Sequence, residues 1–326
     1  MHRWTDLSQV PADFGPSVVT IGNFDGVHRG HRSVLARMVA AARSIDGQAV
    51  AVTFHPHPAM VHNPERAPEL ITGIADRLEL LAETGLDAVL LVEYTLEFAQ
   101  ATPEEFVRRH LVDGLHAATV VVGRDVRFGR GNSGDLSTMV ELGERHGFAV
   151  EVLEDVHGHG LTPESRRWSS SWVRELLAVG DVVGAAEILG RPHRVRGTVV
   201  HGDARGRELG YPTANLAQDA SGMVPADGVY AGWMRRVGFP ADHPDAYLPV
   251  AISIGTNPTF DGVQRRVEAH VPDRTDLDLY DEEVVIELVE RLRPTVRFDS
   301  IDQLVAQMDR DVEQTRALLG ADHRSA

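Results

Sequence analysis

Residues 17–31 read Ser-Val-Val-Thr-Ile-Gly-Asn-Phe-Asp-Gly-Val-His-Arg-Gly-His. A short run rich in β-branched residues enters a turn carrying Gly22 and Gly26, and a helix-like segment from Arg32 to Ser44 follows. That is a strand, a glycine turn and a helix, and such a turn lets backbone approach a ligand while the helix N-terminus offers unpaired N–H groups. Working outward, the same alternation repeats. Gln48 to Phe54, Ala88 to Tyr94, Ala118 to Gly123 and Phe148 to Leu153 are further valine-bearing runs, separated by helix-like Ile74 to Thr84, Pro103 to Leu111 and Asp135 to His146. Strands of this texture suit burial on both faces, and their alternation with helices predicts a doubly wound α/β domain with a parallel sheet. In such sheets ligands bind beyond the carboxyl ends of the strands, so the loops after strands are the candidate sites.

Near Arg191 the texture changes. Arg194 to His201, Gly228 to Arg236, Tyr247 to Ile254, Arg266 to Val271 and Glu283 to Leu288 are β-prone and separated by glycine, proline and aspartate. They predict a mainly antiparallel β-barrel, closed by a C-terminal helix over Ile301 to Leu319 whose apolar residues mostly recur at helical spacing. Two helix-like pieces, Ser170 to Ala178 and Val182 to Leu189, bridge the halves. The expected domains are 1–188 and 189–326. A length of 326 residues fits two domains at roughly 150 residues each.

Composition narrows the function. Apolar residues at 43% and charged residues at 25% describe an ordinary globular chain. No cysteine is present, which excludes disulfides, thiolate metal sites and cysteine nucleophiles. The net charge of -16 argues against nucleic-acid or acidic-membrane partners. All 32 basic residues are arginine, a bias that reads more simply as codon usage than as chemistry, and it leaves no lysine to grip phosphate as in a Walker loop. There is no run of about 18 apolar residues and no signal-peptide profile, so a cytoplasmic protein is expected.

Two loops carry chemistry. In the first, His28 and His31 stand three apart at the start of a helix, where they either donate to phosphate oxygens or merely cap and pack the turn. His55 and His57, set between prolines, read as a rigid turn more readily than as a catalytic pair. Asp125 and Phe128 follow the fourth strand, where the aromatic ring either stacks on a ligand or belongs to the core. The second loop, His201 to Asn215, has Gly202, Gly206 and Gly210 with Arg205 and Arg207, which is a phosphate cradle or a glycine-rich hairpin. Thr213 and Asn215 share one side of an extended segment, and their oxygens suit a hard ion such as Mg2+.

The string Gly22-Asn23-Phe24-Asp25-Gly26-Val27-His28-Arg29-Gly30-His31 resembles the HxGH signature of nucleotidylyltransferases, in the form found in prokaryotic bifunctional riboflavin kinase/FMN adenylyltransferases. The resemblance extends along almost the whole chain, through Thr53 to Pro58, Gly123 to Gly129, Ser169 to Ser171 with Arg174, Pro212 to Asn215, Pro225 to Tyr230, Ile254 to Phe260 and Arg266 to His270. It implies a nucleotidylyltransferase domain followed by a riboflavin kinase barrel, making FMN and then FAD with ATP and Mg2+. His28, His31, Arg167, Ser170, Ser171 and Arg174 would then hold phosphates. Gly22, Asn23, Asp25, Asp125 and Phe128 would line the nucleotide and flavin region. Gly202, Arg207, Gly210, Thr213 and Asn215 would bind ATP and metal in the barrel, where Glu268 would be the base. Ser171 stands where the family commonly has threonine and is followed by Trp172; the Ser169 to Ser171 run also suits a helix N-cap. A homo-oligomer is compatible with this reading. A single-activity enzyme and a flavin-binding sensor without turnover are the rivals.

Overall fold

The computed structural model describes residues 1–153, 166–202, 209–259 and 262–320, with side chains described outside 257–259 and 262–264. Packing divides the chain into two compact units: Met1–Pro68 with Ile74–Ser169, and Glu69–Gly73 with Ser170–Ala326.

The first unit is built on strands β1 (His2–Trp4), β2 (Ser17–Ile21), β3 (Gln48–His55), β4 (Ala88–Glu93), β5 (Ala117–Gly123) and β6 (Ala149–Leu153). They pair parallel in the order β1-β4-β3-β2-β5-β6. Alternation along each strand feeds two cores. Val18, Ala49, Ala51, Val89 and Val121 pack on Leu35, Met38 and Ala42 of α1 (Arg29–Ser44) and on Leu80 and Leu81 beyond it in sequence. Val19, Val50, Val52, Leu90 and Val122 face the other way, onto Phe106, Leu111, Met139 and Leu142. The remaining helices are α2 (Pro58–His62), α3 (Ile74–Ala82), α4 (Pro103–Phe106), which runs on as a π-helical stretch Val107–Gly114, and α5 (Leu136–His146). From β2 the chain adds strands first on one side and later, with β5, on the other. The order therefore reverses between β2 and β5, and their carboxyl ends open the crevice such sheets use for ligands. Strand β1 has no sequence signal, because three residues at a sheet edge are held mainly by buried Trp4, edge-on to Phe14 at 4.8 Å.

The second unit holds α6 (Ser170–Val179), α7 (Val182–Leu189), β7 (His193–Val200), β8 (Thr213–Leu216), β9 (Gly228–Arg236), β10 (Tyr247–Thr259), β11 (Gly262–His270), β12 (Glu283–Arg293) and α8 (Ile301–Leu319). The strands close an antiparallel barrel in the order β10-β11-β8-β7-β12-β9. The closing strand β8 is four residues long, too short for a periodicity signal, and the sequence suggested only five strands. Helix α8 is fixed to the barrel by Arg293, whose Nε and Nη2 donate to the buried Asp311 carboxylate at 2.7–3.1 Å. Such a pair contributes orientation more than net stability.

Residues 170–188 pack with the barrel rather than with the parallel sheet. The Ala226 amide donates to Leu177 O at 3.0 Å, and Arg291 Nη1 donates to Val179 O at 3.1 Å. Gly180, at φ +80, sits where a Cβ would come within 2.9 Å of the Tyr230 hydroxyl. A fragment 170–326 should therefore melt at a higher temperature than a fragment 189–326, which loses these partners. Equal melting temperatures would show that α6 and α7 add nothing to the barrel.

Candidate active sites

At the crevice of the first unit, the turn after β2 is tightly determined. A Cβ on Gly22 would lie 3.0 Å from the Phe24 ring, and Phe24 and Val27 hold left-handed φ angles of 49° and 41°. Non-glycine residues keep such angles only where their surroundings enforce them. The Asn23 carbonyl supplies the fixing point, accepting from Thr53 Oγ1 at 3.2 Å and from Arg77 Nη1 at 2.8 Å. Arg77 Nη2 also donates to Phe54 O at 3.0 Å, so one guanidinium of α3 ties the turn to the end of β3. Arg77 is 1% exposed; burial lowers its pKa, and the field of buried Asp25 opposes that.

His28 is the N-cap of α1, with Nδ1 accepting from the His31 amide at 3.3 Å. An accepting Nδ1 leaves the proton of the neutral ring on Nε2, as a donor. His28 thus caps the turn, and this cap directs its Nε2–H away from the helix backbone it caps. The two rings stack at 3.7 Å, and Phe24 meets His31 edge-on at 5.3 Å. His31 Nδ1 is buried without a hydrogen-bond partner among the described residues. Burial, and then the His28 and Arg167 charges, push the His31 pKa well below its ordinary value.

Arg167 Nη1 donates to Asp125 Oδ2 at 3.0 Å, joining the segment before α6 to the loop after β5. Trp168 lies under the Arg29 guanidinium at 5.9 Å. Phe128, for which the sequence left a ligand-stacking and a core position open, is 6% exposed and 6.2 Å from the Phe106 ring, packed with the core beneath the loop. Ser170, Ser171 and Arg174 begin α6 in the second unit, where Arg174 Nε donates to Glu69 O at 2.7 Å. His57 Nδ1 caps α2 by accepting from the Ala59 amide at 3.1 Å. The His55 pKa is lowered by partial burial and by Arg77.

Sequence reasoning missed an aromatic cluster beyond β3 and β4. His62 Nε2 is 2.9 Å from the Tyr94 hydroxyl, and Tyr94 meets Phe54 and Phe98 edge-on at 5.7 and 5.4 Å. Its signal was available, since Phe54 and Tyr94 end strands on the ligand-bearing edge of the sheet.

In the barrel, the register of β8 and β11 sets Glu268 directly opposite Asn215, and His270 opposite Thr213. These four are partly exposed, while Ala214, Leu216, Val267 and Ala269 on the other face are buried. Asn215 Nδ2 donates to Thr213 O and Oγ1 at 3.2 and 3.3 Å, leaving Asn215 Oδ1 as an acceptor. Among the described residues no three His, Cys, Asp or Glu side chains gather as metal ligands. Thr213 and Asn215 accordingly fit an ion that takes most of its oxygens from phosphate and water, the habit of Mg2+. A cleft of about 420 Å³ beside Thr213 is walled by Gly210, Pro212, Ala269 and Tyr280. Tyr280 stacks on His201 at 3.8 Å. Gly202 cannot carry a side chain, because a Cβ would lie 2.6 Å from Asn215, and Gly210 holds φ +87°. Arg205 and Arg207 lie outside the described residues. The Pro225 to Tyr230 stretch is a pinned turn: Arg265 Nη1 donates to Val224 O at 2.7 Å, and Arg291 Nη2 donates to Asp227 O at 2.6 Å.

Comparison with known proteins finds a separate family for each half of the chain. A family model described as FAD synthetase matches residues 10–167, and one described as riboflavin kinase matches residues 189–319. A bifunctional riboflavin kinase/FMN adenylyltransferase of Escherichia coli (strain K12) is 36% identical over 315 residues, 97% of this chain and 96% of that protein. One from Listeria monocytogenes is 33% identical over 319 residues, 97% of this chain and 94% of that protein. A crystal structure of a protein named macrolide-efflux protein, from Streptococcus pneumoniae, superposes with a TM-score of 0.82 at 30% identity, covering 96% of this chain and 98% of that one. Among the described residues no helix is long and apolar enough to cross a membrane.

The buried His31 ring should remain neutral at about pH 6, where an exposed histidine is largely protonated. Its folded pKa is depressed, so the unfolded chain binds the proton first. The stability contributed by the neutral ring is complete above the unfolded value of about 6.5 and is lost as pH falls below it. Histidine NMR titration checks the first point: a His31 midpoint at or above 6.5 would show a solvated ring. For the second, His31→Gln should lose less stability than the parent chain between about pH 7 and 5.5.

Proposed function

The chain belongs to the bifunctional riboflavin kinase/FMN adenylyltransferase family, and from that membership and the two sites we infer how its residues divide the work. The enzyme phosphorylates riboflavin with ATP to FMN in its second unit. In its first unit it joins FMN to the adenylyl group of a second ATP, giving FAD and pyrophosphate.

For the kinase step, the observation that carries the assignment is the cross-strand pairing of Glu268 with Asn215, two neighbours from Thr213. Glu268 takes the proton of the ribityl 5′-hydroxyl, whose oxygen attacks the γ-phosphorus while ADP leaves. Thr213 and Asn215 would hold Mg2+, which would supply charge neutralisation on the phosphates. Gly202 and Gly210 let the preceding loop approach the nucleotide, and Arg207 is assigned to the phosphates by family resemblance alone.

For the adenylyl step, an FMN phosphate oxygen attacks the α-phosphorus. No side-chain nucleophile is needed, and positioned donors carry the catalysis. His28 Nε2–H is the best-defined of these, with His31 stacked behind it and the α1 N-terminus beside both. Gly22, Asn23 and Asp25 shape the nucleotide turn, and Asp125 orients Arg167. Ser170, Ser171 and Arg174 are proposed as phosphate donors on family resemblance. The cluster of Phe54, Tyr94 and Phe98 offers apolar faces suited to a flavin ring. ATP as substrate of both steps favours a cytoplasmic location, which cell fractionation checks.

Product chromatography tests both assignments in the intact chain. His28→Ala with His31→Ala should slow FAD formation from FMN by about 10²–10³-fold and spare riboflavin phosphorylation. Equal loss of both steps in folded protein would overturn the division. Glu268→Gln should slow phosphorylation by about 10²–10⁴-fold with riboflavin binding retained, because glutamine keeps an acceptor oxygen but cannot take the proton. A near-normal kinase rate would place the base elsewhere.

A further inference from the structure

We propose that Arg77 is a positioning residue for adenylyl transfer, setting the distance between the nucleotide turn at Asn23 and the end of β3 at Phe54, from which the histidine-bearing turn leaves. Nothing in the resemblance assigns it a role, and it touches no reacting group. Its guanidinium spans two segments more than 20 residues from it in sequence, with Nη1 on Asn23 O at 2.8 Å and Nη2 on Phe54 O at 3.0 Å. Two donors of one rigid plane fix two carbonyls relative to each other, which a lysine ammonium on a flexible stem does far less well. In a chain without lysine, arginine at a given position carries little information by itself; the fork geometry and the 1% exposure do.

The location makes the clamp consequential. Asn23 lies five residues before His28, and Phe54 immediately precedes His55 and the His57 cap of α2. Burying a cation is costly, and Asp25, 2% exposed, is the charge whose field favours it. Arg77 Nε has no hydrogen-bond partner among the described residues, so this side chain is not optimised for its own satisfaction. What it does satisfy are the two carbonyls at the carboxyl edge of the sheet. Thr53 Oγ1, at 3.2 Å from the Asn23 oxygen, is a second and weaker fastener of the same point.

This inference rests on the adenylyltransferase reading of the first unit, and the test separates the two. Steady-state kinetics of FAD formation from FMN and ATP would be measured for Arg77→Lys and Thr53→Val in the full chain, with riboflavin phosphorylation as the internal control. Displacement of reacting groups by about 1 Å costs on the order of 10²-fold in rate. Arg77→Lys should lower kcat by about 10-fold to 10²-fold with KM for ATP and FMN within about threefold, and Thr53→Val should shift kcat the same way by less. Arg77→Met should fall below Arg77→Lys, showing partial rescue by the retained charge. Unchanged kcat in both Arg77→Lys and Thr53→Val, or a loss confined to KM, overturns the proposal. Should Arg77→Lys melt below the assay temperature, Thr53→Val alone decides on the same kcat criterion. If the His28 and His31 double variant retains FAD formation, the site reading itself fails; if it loses FAD formation while Arg77→Lys does not, only the clamp does.

Discussion

A parallel sheet covered on both faces leaves its polar backbone only its ends for contact with ligand, and at the end of β2 one carbonyl bears that constraint. The Asn23 oxygen is held by Thr53 and Arg77, and around it Phe24 and Val27 adopt left-handed angles that would relax in a looser turn. The turn in turn fixes where α1 begins, and thereby where His28 caps it and where His31 stacks. A buried arginine on α3 thus anchors one end of the turn whose other end is the histidine cap of α1, where the His31 amide donates to His28 Nδ1.

The barrel meets the same need by closure. With β8 in place among the described strands, ladder partners run around the whole ring, and the alternation of buried Ala214, Leu216, Val267 and Ala269 turns Thr213, Asn215 and Glu268 outward together. The loop 238–246 also reaches this region: Asp245 accepts from Arg274, on the wall of the cleft beside Thr213, at 2.7 Å.

Much of this was legible in the sequence, for physical reasons. Valine-rich strands, helix-like intervals and the change of texture near Arg191 gave both architectures, because burial on two faces and glycine-separated alternation leave different patterns. His28, His31, Thr213 and Asn215 stood out by residue type and neighbourhood, whereas Glu268 was singled out by family resemblance alone. What escaped was whatever depends on partners distant in sequence. Arg77 looks like any surface cation in Ile74-Ala75-Asp76-Arg77-Leu78. For Phe128 the sequence offered the core as one of two places, and its packing beside Phe106 is what the sequence could not supply. The helix expected over Pro103 to Leu111 is α-helical only to Phe106 and then widens, because hydrophobic spacing does not distinguish the two helical registers over so short a span. The Ser170 to Leu189 helices read as a bridge, and only their packing against Tyr230 and Arg291 assigns them to the barrel.

The β8–β11 pairing has a consequence for how such a chain can vary in length. Because side chains alternate across a strand, insertion or deletion of one residue between Val267 and His270 would exchange the faces of the ladder, swinging the carboxylate inward and an apolar neighbour out. Added residues in a surface loop such as 238–246 cost only slowly growing closure entropy and reverse no side chain, whereas an odd change within these strands reverses every side chain beyond it. Length polymorphism should therefore be abundant in the former and nearly silent in the latter, so the spacing itself acts as an inherited record of where the chemistry sits.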